Sequence, residues 1–110
     1  MALYMVQGAY TAEALATMAK KPQDRSVPVR ELLQKLGGQL VGFYFCFGEY
    51  DVVALFEAPD DTTASALALA VAGPGHIKAY KTTKLFTVEE TMEAMRKAGS
   101  LAAFQGPSRG

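Results

Sequence analysis

The hydrophobic positions change period along the chain, and each change marks an element. Ala2 to Tyr10 is apolar and rich in β-formers, which predicts a first strand. Thr11 is placed to cap a helix, Glu13 suits its first turn, and Leu15, Met18 and Ala19 recur at helical spacing. Pro22 stops or kinks that helix, and the polar stretch Pro22 to Pro28 predicts a loop or a break between two helical pieces. Val29, Leu32, Leu33 and Leu36 resume the helical period until Gly37-Gly38 ends it. Gln39 to Phe47 is β-branched and aromatic, a second strand, and Tyr50 to Ala58 is a third. Between them, Gly48-Glu49 has the form of a two-residue type II′ turn. Pro59-Asp60-Asp61 breaks the third strand and offers an aspartate cap for a helix over Thr62 to Ala72. Gly73-Pro74-Gly75 ends that helix, Ile77 to Thr87 reads as a fourth strand, and Glu89 to Lys97 as a short helix.

The predicted order is β, α, β, β, α, β and a short final helix. Two βαβ halves joined by a hairpin describe an α+β, ferredoxin-like plait, a four-stranded antiparallel sheet with its helices on one face. The hairpin makes the faces testable. A two-residue turn sets Phe47 opposite Tyr50, Cys46 opposite Asp51 and Phe45 opposite Val52. One face then carries Val41, Phe43, Phe45, Phe47, Tyr50, Val52, Ala54 and Phe56, all apolar or aromatic. The other carries Leu40, Gly42, Tyr44, Cys46, Asp51, Val53, Leu55 and Glu57, still mostly apolar. Left bare, that second face would be a large exposed apolar patch, so a second copy of the chain is the expected cover. A slip of one residue in the turn would exchange the two faces.

Composition narrows the class. The 110 residues suit one domain, here residues 1–98, with a small, polar, fraying tail over 99–110. Lysines and arginines number 11 and acids 11, interleaved along the chain, so nothing marks a nucleic-acid or membrane partner. The single cysteine, Cys46, cannot close an internal disulfide and suits a reducing compartment. No signal peptide opens the chain, and the longest largely apolar run, Ala64 to Gly73, is too short to span a bilayer. The expectation is a soluble, cytoplasmic protein.

Phe47-Gly48-Glu49-Tyr50-Asp51 carries a Gly-x-Tyr-Asp element. With it stand Asp24-Arg25 and Arg30, Gly37-Gly38, Tyr44, Glu57-Ala58-Pro59-Asp60-Asp61, and Thr82-Thr83 before Glu89-Glu90. In these pieces the chain resembles the GYD-domain family of small bacterial proteins, from about the first strand to the last helix. That family is similar to the dimeric α/β-barrel group. The group includes effector-binding domains of leucine-responsive-type regulators and cofactor-free monooxygenases. The resemblance implies fold and self-association more strongly than activity. No helix-turn-helix segment precedes the first strand, so a likeness to the regulators would cover only their effector half.

Candidate chemistry is sparse. No phosphate loop, dinucleotide fingerprint, nucleophile elbow or zinc spacing is present, so no metal or cofactor is implied. Gly48 most simply serves its turn, and the group's ligand sites near this hairpin give a second reading, close approach to a ligand. Asp51 opens an apolar strand; it is either a rim carboxylate bonded to turn amides or a ligand acceptor with Tyr44 beside it as donor. His76 is the only histidine, either an exposed loop residue or a general base. Arg25 and Arg30 flank the Pro28 break, as a solvated face or as a clamp for carboxylate or phosphate. Lys78, Lys81 and Lys84 do not share one strand face. Cys46 reads as an inert buried thiol.

Three functions follow. The first is a homodimer or larger oligomer that holds a small organic ligand through Tyr44, Asp51, Arg30 and His76, without catalytic residues. The second is a small cofactor-free oxygenase or isomerase using His76 and Asp51. The third is a structural subunit with no pocket.

Overall fold

A computed structural model describes residues 1–101 of the chain. Its elements are β1 (Ala2–Tyr10), α1 (Ala12–Lys20), α2 (Ser26–Lys35), β2 (Gln39–Phe45), β3 (Val52–Ala58), α3 (Asp61–Ala72), β4 (Ile77–Leu85) and α4 (Val88–Gly99). The strands form one antiparallel sheet in the order β2-β3-β1-β4, the ferredoxin-like plait expected from the pattern. Nine residues at the C-terminus, 102–110, lie outside the described residues, and with them most of the expected tail.

Local chemistry sets the boundaries. The Thr11 hydroxyl accepts the Ala14 N–H, and the Asp60 carboxylate accepts the Thr63 N–H, so each starts a helix with one orphan donor satisfied. Thr87 and Glu90 close a reciprocal capping box at the start of α4. The break after Pro22 is short: α2 already begins at Ser26 and takes Pro28 into its first turn, where a missing N–H costs nothing. At its far end Gly37 adopts φ +79°, and Gly38 passes so close to β3 that a Cβ there would stand 2.5 Å from the Glu57 carbonyl oxygen.

The core lies between the sheet and α2 and α3. Tyr4, Val6, Ala54 and Phe56 meet Leu33, Ala64 and Leu67, and the Tyr4 and Phe56 rings stack at 5.2 Å. Alternate residues of β3 point into it, as the pattern requires.

The hairpin departs from expectation in three ways. The register Phe45↔Val52 is the predicted one, but the last backbone bond across the hairpin among the described residues runs from Cys46 N to Asp51 O. Phe47 to Tyr50 is therefore a four-residue loop rather than a two-residue turn. Second, the register shifts between Leu40 and Gly42, which makes Val41 a bulge. Leu40 thereby moves to the helix-covered face opposite Phe56, and Val41 turns out to solvent. Third, the helix layer stops short of the hairpin tip. Phe47 is 99 % exposed, Phe45 is exposed, and Cys46 is an exposed free thiol rather than a buried one.

The opposite face of the sheet carries Leu3, Met5, Val53, Leu55 and Leu85, interrupted by Gln7, Gln39, Tyr44, Glu57, Lys81 and Thr83. No helix covers it. Lys84 lies on the other face and pairs with Asp61, so Lys81 and Lys84 are indeed separated by the sheet. The apolar stripe of α4, Val88, Met92 and Met95, is exposed, and no residue of that helix is buried. Among the described residues no helix is long and apolar enough to cross a membrane.

Candidate functional site

At the end of the sheet where β1 stops and β4 starts, three spaces meet around Tyr10. The first is an apolar cavity of about 40 Å³ between sheet and helices, lined by Val6, Val29, Val52, Phe56 and Val71 among others. The second is a recess of about 130 Å³ bounded by Arg25, Val29, Val71, His76 and Ile77. The third is an open cleft of about 280 Å³ over α1, lined by Glu13, Thr17, Met18, Gln23, Arg25 and His76. Tyr10 borders all three. The inner space is apolar, and its mouth is polar.

Each mouth residue is held by local structure. Tyr10 ends β1 just past a register shift at Ala9 and is 7 % exposed. Burial pushes its phenol above the usual tyrosine value, and the adjacent Arg25 guanidinium opposes that rise. Arg25 approaches the phenol without closing a hydrogen bond of good geometry. Its Nη1 donates instead to Gln23 Oε1 at 3.0 Å. Behind it the Asp24 carboxylate accepts both the N–H and the hydroxyl of Ser26, which fixes the entry into α2 and holds the Asp24 carboxyl below the ordinary range. Arg25 is half-buried and forms no ion pair among the described residues. His76 follows the α3 terminator, where Gly75 takes φ +89°. Its carbonyl accepts the Thr11 N–H at 2.9 Å, which ties the loop to the start of α1 and leaves the imidazole exposed at the rim.

Of the residues singled out by sequence, the structure brings only some together. His76 and Arg25 share the mouth. Asp51 stands behind it: its Oδ2 accepts the Tyr10 N–H at 2.9 Å, its own N–H donates to Gly8 O, and its carbonyl takes the Cys46 N–H. Arg30 lies elsewhere, beside Gln34, Gly38 and Leu40 on a shallow surface. Tyr44 is exposed on the uncovered face, its ring over Gly42, where a Cβ would stand 2.9 Å away. Tyr10 escaped the sequence reading because it sits inside an apolar run that looks like ordinary strand; its place directly before the capping Thr11 was the available signal. Among the described residues no group of three or more His, Cys, Asp or Glu could hold a metal ion.

At the other end of the sheet a second polar group serves the fold. The Tyr4 hydroxyl donates to Asp61 Oδ1 at 2.6 Å, and Lys84 Nζ lies 3.1 Å from the same oxygen. The bond to Asp61, helped by burial, raises the Tyr4 phenol to about 12. The same bond, with Lys84, holds the Asp61 carboxyl low.

The GYD-domain model matches residues 4–95. Among solved structures, MtbAldR is similar at 16 % identity with a TM-score of 0.55, over 78 % of this chain and 52 % of its own. The chain thus spans about half the length of that protein. TTHA0845 from Thermus thermophilus is similar at 18 % identity with a TM-score of 0.51, over 80 % of this chain and 96 % of its own. At these identities the likeness is one of fold. None of the curated proteins matches the chain.

Proposed function

The chain belongs to the GYD-domain family, and from that premise we propose that it is a self-associating module that binds a small organic molecule in the cleft around Tyr10. One observation carries the reading: an apolar cavity, a recess and an open cleft share Tyr10 as a wall, and Arg25 and His76 line the latter two. Ligand sites combine these features, an apolar body for affinity and a few placed polar groups for orientation. A purely structural subunit has no need of them. Asp51 supports the site through the Tyr10 backbone rather than by touching the ligand.

Self-association rests on the uncovered sheet face. Leu3, Met5, Val53, Leu55 and Leu85 form an apolar field that a second copy would cover sheet to sheet. Tyr44, on that face, then belongs to the contact between copies.

Native mass spectrometry of gently purified protein tests both parts. The expected result is a dimer or higher multiple that retains a reproducible small mass. A monomer would overturn the pairing. A protein that carries no adduct, and whose melting temperature does not rise with any member of a diverse small-molecule set, would overturn the binding role.

A further inference from the structure

We infer that the ligand of this cleft is a monocarboxylate with a short apolar body, its carboxylate held by Arg25 and its body lodged between sheet and helices. The inference rests on the binding reading above and narrows it to one chemical class.

The charge balance of the mouth carries the argument. Arg25 is half-buried and unpaired by any acid among the described residues. A cation withdrawn from water favours an anion at its free edge. The guanidinium is also held ready. Gln23 takes Nη1, and the Asp24–Ser26 bonds fix the turn that carries the residue, so less freedom is lost on binding. None of the acids nearby closes an ion pair with Arg25, although the Asp51 charge is felt at the Tyr10 phenol. Asp51 is engaged by the Tyr10 N–H, Asp24 by Ser26, and Glu13 stands exposed on the outer wall of the cleft.

The number of cations selects the kind of anion. A single planar guanidinium matches a planar carboxylate in a two-point fork. A phosphate dianion would call for a second cation or a nest of backbone amides. Tyr10 and His76 line the same recess as Arg25 and bring further polar groups to it.

Shape selects the body. Behind the mouth the lining is Val29, Val71 and Ile77, then Val6, Val52 and Phe56. The cavity of about 40 Å³ and the recess of about 130 Å³, which share Val29, Val71 and Ile77, together give room for a chain of a few carbons. Apart from the Tyr10 and Tyr80 hydroxyls, the lining of the cavity offers no polar side chain to satisfy a hydroxylated or amidated body.

Pentanoate, 1-pentanol and pentylamine, which share a five-carbon chain and differ at the head, separate the possibilities. Each is titrated into the full-length protein while backbone amide and methyl NMR shifts are followed. Pentanoate is expected to move Tyr10, Val29, Val71 and Ile77 in a saturable way, with 1-pentanol at least roughly tenfold weaker and pentylamine weaker still. Arg25→Gln should remove the preference for pentanoate over pentanol. Arg25→Lys should keep part of it, and Arg30→Gln all of it. Equal binding of pentanol, tighter binding of pentylamine, or a carboxylate preference that survives Arg25→Gln would overturn the carboxylate assignment and leave the cleft as a binding site. If none of the three moves those residues, the assignment and the binding role of the cleft fall together.

Discussion

The Asp51 carboxylate accepts the Tyr10 backbone N–H at 2.9 Å, joining the start of β3 to the end of β1. The ladder between these strands runs only to Gly8 opposite Val52. Past that pair the Asp51 N–H still donates to the Gly8 carbonyl, and the Asp51 side chain adds a further link, to the Tyr10 N–H. The Gly-x-Tyr-Asp element thus has a structural reading. Gly48 takes φ +131° in the loop, the Tyr50 carbonyl receives the Cys46 thiol, and Asp51 anchors the loop to β1 and positions Tyr10.

Replacing Asp51 with alanine should cost about 1–3 kcal/mol, the range for losing a hydrogen bond to a charged group and orphaning a part-buried donor. Asp51→Asn keeps an acceptor and should lose less. Urea unfolding of both variants measures the difference. In the alanine variant the Tyr10 amide should also exchange with solvent faster than its neighbours; unchanged exchange would place the Tyr10 anchor elsewhere.

Gly38→Ala should destabilise by about 1–3 kcal/mol, because its Cβ would meet a backbone carbonyl at 2.5 Å and neither β3 nor α2 can retreat cheaply. Gly37→Ala has open space but a left-handed backbone, and about 1 kcal/mol is expected there. The order of the two costs, read from chemical denaturation, distinguishes close packing from backbone strain.

Alkaline stability should depend on Tyr4. Its phenol is raised to about 12 in the fold against 10.0 for the free side chain. Below pH 10 both states hold the proton, and the Tyr4–Asp61 bond stabilises fully. Between pH 10 and 12 the unfolded chain ionises first, so stability falls as pH rises. Tyr80, raised to about 12 mainly by burial, loses stability over the same window. Tyr4→Phe should therefore flatten part of the decline and Tyr80→Phe another part, as followed by urea midpoints from pH 9 to 11.

Val53→Glu places a charge within the uncovered face, twice over in a symmetric pair. Association should weaken at least about a hundredfold, seen by sedimentation, while the monomer keeps its strand dispersion in NMR spectra. If the variant stays paired, the contact between copies lies on another surface, and the exposed α4 stripe of Val88, Met92 and Met95 becomes the place to look.

Element order, caps and the plait were legible in the chain because they depend on local choices: period, proline, glycine and capping side chains. Thr11, Asp60 and the Gly37-Gly38 stop act within a few residues of themselves, and the structure has them where the pattern expects. The alternation along β3 likewise forecast which residues would be buried. What the chain alone left open was which side chains of distant segments meet. The Val41 bulge depends on how β2 meets β3, the exposure of Cys46 and Phe47 on how far the helix layer reaches, and the neighbours of Arg25 on the packing of three separate loops. Asp51 and Tyr10 are 41 residues apart, and no spacing rule links them. Local sequence determined the parts and their order; only the tertiary structure decided which side chains meet at the end of the sheet, because such meetings depend on register and packing summed over the whole fold.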